Sequence, residues 1–166
     1  MCIRDSHKTL CNAKRRIYIQ SPYFLPTDAL LKDLVTAALS HVDVRILIPR
    51  KSDSMLLNYA SASYITQCLQ AGIKIYFYEA GMLHSKMIIV DDDFVTIGST
   101  NFDFRSFEHN FEGNLFFYSR EFAERMLAIY REDLTHSTRV IPAQWRKRPL
   151  IKRSIESVVR LLSPIL

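Results

Sequence analysis

Apolar and polar positions recur along this chain in two periods, and the switches between them mark its elements. Arg16–Gln20, RIYIQ, alternates with β-prone side chains and predicts a strand. SPYFLPT follows as a proline-bracketed loop in which Thr27 or Asp28 can cap a helix. Leu30, Leu31, Leu34, Val35, Ala38 and Leu39 then fall on one helical face. DVRILIP (43–49) reads as a buried strand and KSDS as a capped loop. Met55–Gln70 reads as a helix stopped by Gly72, and IKIYFYE (73–79) as the next strand. Strand–helix–strand–helix–strand with short connections implies parallel strands joined by crossover helices.

Beyond residue 80 the pattern changes. Residues 86–91 and 94–98 predict strands joined by an acidic turn, which makes a hairpin. GNLFFYS (113–119) predicts a further strand. Arg120–Leu134 predicts a helix with Phe122, Met126, Ile129 and Tyr130 inward. The expected fold class is α/β, a mixed β-sheet flanked by helices on both faces. Residues 150–162, LIKRSIESVVRLL, form a basic amphipathic segment closed by Pro164.

The hairpin carries the candidate chemistry. Alternate strand residues share a face, so His84 pairs in direction with Lys86, and Ser99 with Asn101. A two-residue Asp92-Asp93 loop would set Lys86 opposite Ser99 and His84 opposite Asn101, while a slip of one residue would scatter them. That patch suits a phosphodiester. Lys86 supplies charge, and Ser99 and Asn101 supply neutral donors for the non-bridging oxygens. His84 can attack phosphorus or protonate the leaving alcohol. Asp91, an odd number of residues from Lys86, points away and serves the turn. The patch contains no ligand set for a divalent metal.

His84-x-Lys86-x4-Asp91-x6-Gly98-Ser99-x-Asn101 resembles the HKD motif of the phospholipase D superfamily, and NFDFRS (101–106) and NFE (110–112) extend the match. The segments SPYFLPTDALL, DVRILIPRKSDSMLLNYAS, LQAGIKIYFYEAGMLHSK and WRKRPLIKRSIESVVRLLSPIL resemble the C-terminal half of bacterial cardiolipin synthases of that superfamily. The resemblance implies a phospholipase D-like α/β/α sandwich with one HKD motif. It implies His84, Lys86, Asp91 and Glu112 as catalytic residues, with Glu112 hydrogen-bonded to the histidine, and Lys86, Ser99 and Asn101 as phosphate ligands. No cofactor and no metal are implied. The implied reaction joins two phosphatidylglycerol molecules into cardiolipin through a phosphohistidine. It needs a second HKD motif, from a missing N-terminal half or a second copy of the chain. The role of His84, nucleophile or acid, is open. The implied location is the bacterial cytoplasmic membrane, peripheral for this segment, with the parent protein anchored through an N-terminal region. A phosphodiesterase or nuclease acting as a homodimer is the alternative reading. A lipid-surface binding domain with an incomplete site is the third.

Composition adds an asymmetry. The chain has 166 residues and a net charge of +5, of which Arg139–Leu166 holds seven Lys/Arg against one Glu. A basic tail facing an anionic surface fits this, as does a merely solvated face. Trp145 with Arg146, Lys147 and Arg148 suits an interfacial anchor or a tail packed on the domain. Nucleic acid is not the expected partner, because the charge lies beside Leu, Ile and Val. Three cysteines without paired spacing argue against a disulfide framework. Residues 1–15 open on MCIRDS, which resembles a translated adaptor, and the expectation is a chain that begins within a longer protein. The expected organisation is a catalytic domain over 16–138 and a tail over 139–166. Among lesser candidates, Tyr23 and Phe24 line the site or the core. Ser52, Asp53 and Ser54 bind a headgroup or cap a helix. Arg105 pairs with Asp91 or Asp103. His7, His41, His109 and His136 carry no expected partner.

Overall fold

A computed structural model describes residues 3–52 and 55–160. Cys2, Asp53, Ser54, residues 161–162 and Pro164, named above, lie outside them. The elements run α1 (Ile3–Cys11), β1 (Arg16–Gln20), β2 (Phe24–Leu25), α2 (Asp28–Leu39), β3 (Asp43–Pro49), α3 (Met55–Gln70), β4 (Lys74–Tyr78) and β5 (Met87–Val90). They continue with β6 (Phe94–Gly98), β7 (Phe102–Asp103), α4 (Phe104–Glu108), β8 (Asn114–Tyr118), α5 (Arg120–Thr135), β9 (Ser137–Arg139), α6 (Pro142–Arg146) and α7 (Leu150–Arg160).

Seven strands form one mixed sheet in the order β8-β6-β5-β1-β3-β4-β9. β1, β3 and β4 are parallel, as crossover helices require, and the remaining pairs are antiparallel. Strand alternation sorts side chains between two cores. Ile17, Ile19, Val44, Ile46, Ile75 and Ile88 pack toward α1, α2 and α3. Tyr18, Leu47, Met87, Ile89 and Val95 pack toward α5. Each fully buried Ile or Leu contributes about 1.5–3 kcal/mol of transfer free energy, so both layers are held by the same sheet. The expected α/β/α sandwich is the observed one.

Local chemistry sets the boundaries. The Thr27 hydroxyl accepts from the Leu30 amide at 3.3 Å and starts α2. Gly72 takes a φ of +87° after α3, where a side chain would be strained. Two helical faces differ from expectation. α5 buries Ala123, Leu127 and Tyr130, a stripe of i, i+4, i+7, which turns Ile129 outward to 47% exposure. α2 likewise buries Asp33 and leaves Leu39 exposed, because Asp33 serves α1.

The N-terminal segment is structured: α1 packs on α2, and Leu10 enters the core. The tail is not a separate layer either. Val140 and Val159 belong to the main core, and the Trp145 indole donates to Thr66 at 3.0 Å while its ring lies 6.1 Å from that of Phe77. Trp145 is therefore packed on the domain, not free for an interface.

Candidate active site

Parallel strands direct their carboxyl ends to one rim of a sheet, where loops are free to carry function. β1, β3 and β4 end at that rim. β6, antiparallel to β5, ends there too, and β5 and β8 begin there. The loops carrying His84 and Lys86, Ser99 to Asn101, and Asn110 to Gly113 consequently meet at one edge.

The register differs from the expected one. Val90 pairs with Phe94 and Met87 with Ile97, so the turn holds three residues, Asp91 to Asp93, not two. Asp91 leaves the strand because it adopts a φ of +53° and turns its carboxylate to the backbone. It accepts from the amides of Lys14 at 3.0 Å, Arg15 at 2.7 Å and Arg16 at 3.1 Å. Asp92 forms ion pairs with Arg15 and Arg16. Asp91 thus pins the start of β1 from the far end of β5, away from His84. Among the described residues Asp91 forms no hydrogen bond to His84, Lys86, Ser99 or Glu112.

Lys86 consequently faces Gly98, whose amide donates to the Lys86 carbonyl at 3.2 Å. Neither pairing expected of the hairpin, Lys86 with Ser99 or His84 with Asn101, is present, and His84 precedes β5 in a loop. A ladder continued past Gly98 would send Ser99 to the opposite face from Lys86. The chain instead leaves the strand at Gly98, and convergence comes from loop contacts at the rim.

Two couples form there. The Lys86 ammonium lies 2.8 Å from His84 Nδ1 and 3.3 Å from Nε2, and donates to the His84 carbonyl at 2.9 Å. The Ser99 hydroxyl donates to Glu112 and accepts from the Gly113 amide at 3.0 Å. Asn110 donates to the other Glu112 oxygen at 3.1 Å. Glu112 therefore holds Ser99 and Asn110, where the resemblance placed it on the histidine. Partial burial pushes the Lys86 ammonium below its ordinary value, against the opposing pull of Glu112 and Asp103. His84 and Ser99 are exposed. Asn101 leaves its amide oxygen buried with no hydrogen-bond partner, and among the described residues it contacts neither Ser99 nor His84 through a hydrogen bond.

Gly98 is fixed by close approach. A Cβ there would overlap Asn114 Oδ1 and the Gly113 carbonyl, and lie 2.6 Å from Asn114 Cα. Ser21, which the sequence did not single out, ties the rim from below by accepting the Phe102 amide at 2.9 Å. Only its position directly after β1 marked it.

Phe24 is fully buried on Phe102, whereas Tyr23 lines a pocket of about 330 Å³ beside the site with Ile48, Arg50, Phe77 and Trp145. Ser52 bonds Asn58 at 3.0 Å. Arg105 is exposed and forms no ion pair among the described residues, since Asp91 holds the β1 amides and Asp103 caps α4 at Ser106. His7 has a partner after all, Asp33 at 2.7 Å. With Cys11 they make the one set of potential metal-ligating atoms among the described residues, all within 4.8 Å, outside this site.

The arrangement offers one exposed imidazole, an adjacent ammonium and a hydroxyl held by a carboxylate, a set able to receive a phosphodiester. Residues 7–134 match the model of a family described as "Cardiolipin synthase, PLD-like domain". The chain is 45% identical over 157 residues to a cardiolipin synthase of Geobacillus thermodenitrificans, across 95% of this chain and 31% of that protein. It is 45% identical over 159 residues to the major cardiolipin synthase ClsA of Bacillus subtilis, across 96% of this chain and 33% of that one. The chain thus spans about a third of the length of these relatives. Among solved structures, the phospholipase D family member Nuc of Salmonella typhimurium superposes with a TM-score of 0.71 at 24% identity, covering 82% of this chain and 89% of Nuc. A phosphatidylserine synthase of Haemophilus influenzae gives a TM-score of 0.71 at 17% identity, covering 96% of this chain and 44% of that one. Both likenesses are of fold.

Proposed function

We propose, from the premise that this chain belongs to the PLD-like domain family of cardiolipin synthases, that it supplies one half of a phosphatidyl-transfer site. The observation that carries the reading is the meeting of His84 with Lys86, and of Ser99 with Glu112, on loops at one rim. In this reading one histidine attacks the phosphorus of phosphatidylglycerol. A P–N bond forms, the P–O bond to glycerol breaks, and a second histidine gives the departing alkoxide its proton. The hydroxyl of another phosphatidylglycerol then yields a proton to that second histidine and displaces the first, producing cardiolipin. Lys86 and Ser99, with Asn101 once its amide turns to the substrate, stabilise charge on the non-bridging oxygens.

His84 is one of the two histidines. The other comes from a second HKD motif, in an N-terminal half or a second copy of this chain. An apolar edge beside the site suits such a partner: Phe111 is fully exposed, and Leu115, Phe116 and Tyr118 of edge strand β8 are 66%, 39% and 81% exposed. In this reading the chain works at the bacterial cytoplasmic membrane, where its lipid substrate lies. No helix among the described residues is long and apolar enough to cross one.

The test combines the chain with a matching N-terminal half and phosphatidylglycerol vesicles. Cardiolipin should form and should disappear in His84→Ala. Nucleic-acid cleavage without a lipid product would overturn the reading in favour of a homodimeric phosphodiesterase.

A further inference from the structure

Helix α7 buries one side against the domain and leaves an apolar stripe uncovered on another. Glu156 and Val159, 2% and 9% exposed, turn inward, where α7 packs along α3. Ile151, Ile155 and Val158 follow i, i+4, i+7 on another face and are 77%, 45% and 64% exposed, with Leu150 at 74%. An ordinary surface helix turns polar side chains outward, so this stripe needs an occupant.

Charge identifies it. Glu156 is the one acid between Arg139 and Leu166, and it is buried against Arg148 Nη1 at 2.6 Å. That pair is neutral, which leaves six of the seven basic residues of the segment uncancelled within it. Arg139, Arg146 and Lys147 are exposed and form no ion pair among the described residues. Arg148 also stacks 3.5 Å from the Trp145 ring, clasping α6 and α7 to the domain from within. The clasp removes negative charge and the indole from the outer surface while leaving aliphatics and cations there. Such a surface complements an anionic lipid layer, not an acidic peptide, for which an aliphatic stripe of this length is unneeded.

We propose that α7 lies flat on an anionic phospholipid surface, with Ile151, Ile155 and Val158 at the acyl boundary and the neighbouring basic residues among the headgroups. The choice of lipid rests on the phosphatidyl-transfer reading, and the placement does not. Arg148, Glu156 and Trp145 wall the same pocket as Pro22, Tyr23 and Arg50 from the carboxyl ends of β1 and β3. Docking through α7 therefore holds the catalytic rim beside the lipid that it would use.

The experiment is co-sedimentation of the full chain with vesicles of phosphatidylglycerol or of phosphatidylcholine, without an N-terminal half and without turnover. Wild type should bind the anionic vesicles and release them at high salt. An I151E/V158E variant should bind at least tenfold more weakly with an unchanged circular dichroism spectrum. R146Q/K147Q, which leaves the stripe intact, should weaken binding and its salt dependence, and Ile129→Glu on α5 should change nothing. Equal binding of wild type and I151E/V158E, or equal binding to both lipids, overturns the proposal. So does a lipid-free dimer that I151E/V158E converts to monomer, because the stripe would then be a protein interface. Intact vesicle binding without cardiolipin formation would count against the catalytic reading alone.

Discussion

Lys86 and Gly98 face each other across the β5–β6 hairpin, joined by the Gly98 amide donating to the Lys86 carbonyl at 3.2 Å. That single pairing sets where the lysine enters the rim, and it depends on a residue without a side chain. Replacing Gly98 by Ala drives a methyl group into the Gly113 carbonyl and the Asn114 backbone, neither of which is a flexible side-chain end. The strands must separate, at about 2–4 kcal/mol. Gly98→Ala should lower the unfolding free energy by that amount, read as a lower urea midpoint at unchanged slope, and reduce turnover, since Ser99 and Gly113 separate with the strands. An unchanged midpoint would refute the close-approach argument.

Asp91 and His84 should respond oppositely to removal. Asp91 receives three consecutive backbone amides from Lys14 to Arg16, so Asp91→Ala strands those donors and loses about 2 kcal/mol of stability. Asp91→Asn should recover part of it, because asparagine tolerates the left-handed φ and retains one acceptor. His84→Ala removes an exposed ring, and thermal unfolding should move by less than about 0.5 kcal/mol, while the cardiolipin formation proposed for the chain with its matching N-terminal half ceases. A catalytic Asp91 would give the reverse, lost turnover at full stability.

The long elements and the motif loops were legible because each follows from local periodicity or spacing. β2, β7, β9, α4 and α6 were not, since strands of two or three residues and helices of five hold little more than one repeat of their period. α1 was hidden because IRDSHKTLC carries too few apolar residues to mark a helical period. The hairpin register failed for a tertiary reason: Asp91 is drawn out of the strand by amides 75 to 77 residues away. Glu112 was marked only by the resemblance of NFE (110–112) to the family pattern, and its partners Ser99 and Asn110 depend on where the chain leaves β6. His7 with Asp33 is invisible for the same reason, an encounter between two helices.

Acid should expose a second long-range cluster. Burial pushes the Asp43 carboxyl up, but hydrogen bonds from Arg45, Lys74 and Tyr18 outweigh it and hold its pKa at about 2, against an ordinary 3.8. A depressed carboxylate pKa stabilises the fold above its unfolded value and loses that contribution as pH falls. The loss should run from about pH 4 down to pH 2 and amount to about 1–2 kcal/mol, allowing for partial exposure. Asp43→Asn should flatten the stability profile across that window. An equal slope in the variant would assign acid unfolding to other carboxylates.

Lys86 should be a site where function is held at the expense of stability. Burial pushes its ammonium below the ordinary lysine value despite the attraction of Glu112 and Asp103, so folding disfavours its charged form. The destabilisation is present at neutral pH and is relieved as pH rises through the folded pKa toward 10.5. Lys86→Met removes the charge and keeps an unbranched stem. It should leave neutral-pH stability unchanged or raise it by up to about 1 kcal/mol. Combined with the matching N-terminal half, the same variant should abolish the proposed cardiolipin formation, because no other cation contacts His84 among the described residues. Lys86→Arg should restore charge without restoring the single-point contact to the imidazole, and turnover should recover only in part. Urea unfolding at pH 7 beside a lipid-product assay decides it: a Lys86→Met protein that is markedly less stable would show that the lysine holds the fold, not the phosphate.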